Sequence, residues 1–284
     1  MKVFVLGPLE AELKAEAEQF GPYSYRIKSL RAEPGGEALI LAYYLKGFGC
    51  YVHLSGSVGR DPWGRMITQR ARKLADSAHI RTLSASTSFR LKLADLGPQV
   101  VELSYEGAGS KLTLSKEELL KLKPDWIHLT SKALAGRNGR KNLRAAELAS
   151  EELGSILSVD FATSGKKAGL GSSSAIAFCE EGSCEGSSLS SRIAVIGAGE
   201  RGCYSVVDGK VVQHEGLGRG WGEGSREAFI ASFICAYYRT KSVEASCRAA
   251  NYAAYYKSLR KGLTARIPFK EIMKRAEKAA EEER

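Results

Sequence analysis

Short apolar runs alternate with longer stretches that place apolar residues at helical spacing. The runs are KVFVLG, YVHLSGSVG, DWIHLTS, ILSVDFA, AIAFCEE and RIAVIGAG. The stretches are EALILAYYLKGF, PWGRMITQRARKLADS, LSKEELLKLK and RKNLRAAELASEEL. Runs this short and this uniformly apolar suit strands buried on both faces. Strand and helix in series predict an α/β fold with a mostly parallel central sheet flanked by helices. With 284 residues and 44% hydrophobic content, the chain can bury such a core as a single domain spanning 1–284.

Two segments break the alternation. SYRIKSLRAEPGG and TSFRLKLADLGPQVVELSYEGAG alternate polar and apolar residues around turn signals, which predicts exposed strands at about 22–34 and 86–106. They form either a small sheet apart from the main one or a plain surface hairpin. If that sheet exposes an apolar face, a homodimer through it follows. The opening MKVFVLGPLEAELK reads as a first buried strand. The final third, AFIASFICAYYRTKSVEASCRAANYAAYYKSL, reads as helical.

The net charge of +10 raises nucleic acid as a partner. Its lysines and arginines are scattered, however, without a basic run or interleaved aromatics, so the expectation is no nucleic acid and a mixed-charge surface. A site for an anionic small molecule is the next reading. No stretch approaches the ~20 apolar residues that span a bilayer, so no membrane partner is expected. Six cysteines without a CxxC pair and four scattered histidines make zinc an unsuitable reading. Free thiols in a cytoplasmic setting are the default, with a Cys179–Cys184 disulfide as the alternative.

Three glycine-rich segments could carry chemistry. PGGEALILAYYLKGFG at 34–49 sets Gly35 and Gly36 directly before an apolar helix, where a helix N-terminus attracts anions or hydroxyls. In GSVGRDPWG at 56–64, Asp61 precedes a proline and reads as a helix cap. IAVIGAGERGCYSVVDGKVV at 193–212 contains Gly197, Gly199 and Gly202 in a GxGxxG spacing. A strand rather than a helix follows, which excludes a dinucleotide fingerprint.

These segments, in this order and ending in GSREAFIASF, resemble the PfkB/ribokinase family of carbohydrate and nucleoside kinases over nearly the whole chain. The resemblance implies a ribokinase-like (Rossmann-like) central sheet with a small β lid. It also implies ATP-dependent phosphoryl transfer to a hydroxyl of a small sugar-like or nucleoside substrate, with ATP and Mg²⁺ as cofactors. On the substrate side it points to Gly35, Gly36 and, loosely, Glu10, while Ile40 stands where the family places an asparagine. Near FCEEG, Cys179 takes the place of a second asparagine, leaving Glu180 or Glu181 to organise the metal. Gly197 stands in for a threonine at the nucleotide turn, and Asn251 lies on the helix beside the implied adenine pocket.

The family's Gly-Ala-Gly-Asp-Ala-Phe signature becomes GWGEGSREAF here. Anchored on Ala228-Phe229, the signature puts Glu227 at the catalytic base position. Arg226 then stands where backbone amides approach phosphate, and Gly222, Gly224 and Ser225 complete the anion-binding turn. Anchoring on the glycines puts Ser225 at the base position instead. Two functions remain open at this stage. One is a kinase with Glu227 as base and Arg226 beside the phosphoryl group. The other is a catalytically degenerate relative in which Ser225 caps the helix and Glu227 complements its dipole.

Overall fold

Continuous apolarity in the short runs is satisfied by strands whose two faces are both covered by helices. The computed structural model describes residues 1–21, 24–94, 101–161, 175–182 and 191–282. β1 (Lys2–Leu6) leads into β2 (Glu10–Gly21) and β3 (Ser24–Gly35), followed by α1 (Glu37–Gly47), β4 (Tyr51–Gly59), α2 (Pro62–Leu74) and β5 (Ser77–Leu83). β6 (Ser88–Ala94) and β7 (Val101–Tyr105) precede α3 (Lys116–Leu122), β8 (Trp126–Leu129), the short α4 (Ser131–Ala135), α5 (Gly139–Leu153) and β9 (Ile156–Asp160). β10 (Ala175–Glu180), β11 (Ile193–Gly197), β12 (Gly202–Val207) and β13 (Lys210–Glu215) complete the strands. α6 (Ser225–Thr240), α7 (Val243–Ser258) and α8 (Phe269–Glu282) follow.

Among the described residues the main sheet has the order β13-β12-β11-β10-β9-β8-β1-β4-β5. It is parallel from β11 across to β5, while β12 and β13 extend it by antiparallel pairing. β1 divides the core by the pleat. Val3 and Val5 join one apolar cluster with α1, α6 and α7, whereas Phe4 and Leu6 join the other with α3 and α5. Fully buried rings such as Trp126 and Phe233 each contribute ~2–3 kcal/mol to this packing. Asp61 is the N-cap of α2, accepting from Gly64 N–H at 2.8 Å. It also binds Thr87 through N–H at 2.7 Å and the hydroxyl at 2.6 Å, so one carboxylate fixes both the helix start and the strand leading into β6.

The small sheet differs from its sequence-based outline. Segments 22–34 and 86–106 do lie in one sheet apart from the main one, but they do not pair with each other. The order is β3-β2-β6-β7, so β2 lies between them. MKVFVLGPLEAELK is two strands rather than one. Pro8, which has no N–H for a ladder, stands where the chain leaves the main sheet. Residues 22–23 and 95–100 of the expected segments lie outside the described residues. β5 is a further strand, paired parallel to β4 at the edge.

Register gives this small sheet two unlike faces. Cross-strand pairs Glu12–Arg90 and Lys14–Lys92 make one face charged. Pairs Leu13–Leu91, Phe89–Tyr105 and Leu91–Leu103 make the other apolar. The charged face is turned towards the start of α6, where Lys14 and Lys92 meet Glu223.

Candidate functional site

Strand order reverses at β1, whose neighbours are β8 on one side and β4 on the other. In open α/β sheets, the crevice beyond the carboxyl ends of strands at such a point is where ligands bind. Here the ends of β1 and β8 come so close that a Cβ on Gly7 would meet Thr130 Oγ1 at 2.4 Å. Glu10 and Lys132 leave those two strand ends and pair at 2.8 Å, with Arg90 of the lid 3.4 Å from the other Glu10 oxygen. Glu10 and Glu12 are each 2% exposed. Burial raises the Glu12 carboxyl above its ordinary range, against the pull of Arg90.

The glycine pair serves this corner. Gly36 is the N-cap of α1 at φ 92°, and a Cβ there would meet Pro8 O at 2.5 Å, so only glycine fits. Gly35 lies against Glu12. Behind them Glu37, in the first turn of α1, accepts from Ser131 Oγ at 2.7 Å. Ile40 is buried and lines a mixed cavity of about 200 Å³ with Glu33, Pro34, Arg70 and Leu263, a lining that includes none of Glu10, Arg90 and Lys132.

The start of α6 forms the other wall. Gly224 is its N-cap in the left-handed region at φ 72°, and a Cβ there would strike Leu263 O at 1.9 Å. Ser225 is therefore not the cap. It is the first helical residue, and its Oγ accepts from Gly222 N–H at 3.1 Å. Arg226 turns towards the strand ends. Its guanidinium donates to both oxygens of Asp160, at 2.5 and 3.1 Å, and to Glu180 at 2.9 Å. Burial pulls its pKa down, and the Asp160 carboxylate more than reverses that. Glu227, half-buried in the first turn, is pushed up by burial to about 7, opposed by its own backbone amide and reinforced by Glu37.

Glu223 clasps the lid to this helix start, accepting from Lys14 at 2.5 Å and Lys92 at 2.9 Å. Burial raises its carboxyl, yet these two ammonium groups hold it below its ordinary value.

Several residues that the family resemblance assigns to the nucleotide lie beyond the ends of β11 and β13. Gly197 lies under the Trp221 indole, which a Cβ would meet at 2.4 Å, and Trp221 packs on Phe229 at 4.9 Å between centroids. Gly199 and Gly202 frame the turn into β12, Gly202 against the end of β13. Asn251 Nδ2 donates to His214 O and Glu215 O at 3.1 Å each. Its buried Oδ1 has no hydrogen-bond partner among the described residues, an acceptor suited to the amino group of a nucleobase. The residues present fit a nucleotide in that respect.

They do not fit a metal in the same way. Glu180 is bound by Arg226, and Glu181 pairs with Arg201 at the surface. Cys179 is disulfide-bonded, which departs from the free-thiol expectation; Cys184 lies outside the described residues. Among the described residues no group of three or more His, Cys, Asp or Glu is placed to hold an ion.

Sequence reasoning missed Lys14, Glu37, Arg90, Lys92, Lys132, Asp160 and Glu223. Asp160 had a usable signal, an acid at the carboxyl end of a buried run, VDFA. The lid cations had none, since a lysine on an alternating strand reads as solvated.

The architecture matches solved structures along its whole length. Ribokinase from Arabidopsis thaliana, complexed with ribose and ATP, superposes with TM-score 0.75 and 17% identity over 96% of this chain and 98% of that one. A nucleoside kinase from Methanocaldococcus jannaschii gives 0.74 and 17%, over 98% of each chain. Ribokinase from Giardia lamblia gives 0.77 and 17%, over 100% and 99%. No protein-family model and no curated protein matches the sequence. The chain thus has the ribokinase-like fold. The proteins that share it here are sugar and nucleoside kinases.

Proposed function

We propose that the protein is a phosphotransferase that moves a phosphoryl group from ATP to a hydroxyl of a small sugar-like or nucleoside substrate. The observation that carries this reading is Glu227 in the first turn of α6, beside the strand crossover, with its carboxyl raised to about 7. A base of that pKa combines availability at neutral pH with real proton affinity. The acceptor lies between the lid and the ends of β1 and β8, among Glu10, Gly35, Gly36 and Lys132. Glu227 takes the hydroxyl proton as the oxygen becomes nucleophilic. The start of α6 holds the transferring group, and the Arg226 guanidinium stands beside it as fixed positive charge. ATP supplies the phosphoryl group from the cleft between turn 197–202, the Gly222–Ser225 turn and Asn251. The roles assigned to these residues do not depend on Mg²⁺, for which Glu180 and Glu181 are not free.

The Arg226 clamp favours a second reading. A guanidinium held by Asp160 and Glu180 neutralises the acids a metal would use, as expected of a relative that keeps the fold and a ligand but not turnover. ATP consumption across a panel of sugars and nucleosides separates the two. Turnover that falls at least ~100-fold in Glu227→Gln, with nucleotide affinity kept, supports catalysis. No turnover with any acceptor, from a wild type that binds ATP, supports the second reading.

The apolar lid face is proposed as the contact in a homodimer. It exposes Tyr25 at 52% and Leu30 at 57% with Ile27 on β3, and Leu103 at 51% with Val101 and Tyr105 on β7.

A further inference from the structure

The four free cysteines meet in pairs. Cys50, just before β4, and Cys235, on α6, bring their sulfurs to 3.3 Å. Cys203 on β12 and Cys247 on α7 share one buried cluster, and burial and the Cys203 thiol push the Cys247 pKa up. All four are buried, Cys203 and Cys247 completely. A cysteine used only as a small hydrophobe has no reason to meet a second sulfur. Among the described residues each free thiol has a second one beside it, in a chain that already holds a disulfide at Cys179.

We propose that Cys50–Cys235 and Cys203–Cys247 are disulfide-forming sites, oxidised by exchange with a disulfide and stapling α6 and α7 to the main sheet. In each pair one thiolate attacks the oxidant's disulfide and releases its first thiol. The second protein thiolate then attacks the mixed disulfide and releases the other. Two protein thiols are oxidised, one external disulfide is reduced to two thiols, and the two protons leave with them. Cys50 is the entry sulfur of its pair. It is the most exposed of the four, and hydrogen bonding to Cys235 draws its pKa down, whereas burial pushes Cys235 up. Cys203 and Cys247 have no exposed sulfur, so their bond closes while α7 is still docking.

The placement gives the bonds a consequence. α6 begins with Arg226 and Glu227, and α7 carries Asn251. Each helix would be held to a strand of the same core by a covalent bond. The Cys50–Cys235 link encloses 185 positions of chain, and closing so long a loop restricts the unfolded state strongly.

The test uses the full chain, unfolded in reductant and refolded with glutathione disulfide. The product is denatured without reductant, alkylated and digested for mass spectrometry. Expected are linked peptides Cys50–Cys235 and Cys203–Cys247, and a melting midpoint about 10 °C above that of the reduced protein. Cys50→Ala and Cys203→Ala should each lose one linked peptide and part of that shift while keeping the other peptide. Together they leave only the shift due to the Cys179 bond. Four alkylated thiols after oxidative refolding, or links among other cysteines, overturn the proposal. Correct links with a midpoint unchanged between the wild type and the double variant overturn the stapling role.

Discussion

At Glu227 burial opposes the charge, the open end of α6 favours it, and burial prevails. If this carboxylate is the base, turnover should rise with pH through about 7, and a flat profile across pH 6–8 would remove it from the chemistry. Stability has the opposite slope. The unfolded carboxyl releases its proton near its ordinary 4.5 and the folded one near about 7, so the folded state binds the extra proton in that window. Stability therefore falls as pH rises from about 4.5 to 7, by on the order of 2 kcal/mol, and Glu227→Gln should flatten the fall in chemical denaturation. Arg226 allows the second residue-scale test. Removing its guanidinium strips Asp160, 4% exposed, of two hydrogen bonds and should cost about 3 kcal/mol. Arg226→Lys, which keeps a charge but loses the forked hold on Asp160, should lower the turnover of a kinase that uses the guanidinium beside the phosphoryl group, whereas a degenerate protein has no turnover to lose.

Among the elements, the lid and α6 are joined by charge rather than by an apolar seam. Glu223 sits between Lys14 of β2 and Lys92 of β6, each pair partly exposed. Two such pairs are worth ~1 kcal/mol together, enough to bias a lid and not enough to lock it. Glu223→Gln should speed amide exchange in β2 and β6 while leaving β8 and β9 protected; equal exchange in both variants would mean that the clasp holds nothing. Its lowered pKa sets the pH sense. The contribution is full above the ordinary value of 4.5 and is lost as pH falls through the depressed value.

For the whole molecule, the lid presents an apolar face that is exposed among the described residues. Light scattering should give a dimeric mass, and Leu103→Glu with Leu30→Glu should give a monomer that keeps its melting temperature to within a few degrees. A monomeric wild type at tens of micromolar would leave that face unexplained. Nucleotide is tested at the same scale. ATP at 100 times its dissociation constant should stabilise the protein by ~2.7 kcal/mol, and no thermal shift with ATP, ADP or GTP would empty the proposed cleft.

What could be read without coordinates was whatever repeats along the chain. The uniformly apolar runs specify strands buried on both faces, and their alternation with helical spacing specifies a parallel sheet, because no other layering covers both faces. Asp61 before Pro62 was legible as a cap, since capping is settled within four residues. The interruption at Gly7-Pro8 was harder, because β1 and β2 differ only in which sheet they join, and pairing partners are distant in sequence. Of the charged corner only Glu10 was legible, and that loosely, through the family resemblance. Arg90 and Lys132 look like ordinary solvated residues until the strand crossover and the lid bring them within reach of Glu10. Ser225 illustrates the same limit at short range. Its sequence suits a cap, but Leu263 O, nearly forty residues on, crowds the position before it so closely that only Gly224 can begin the helix.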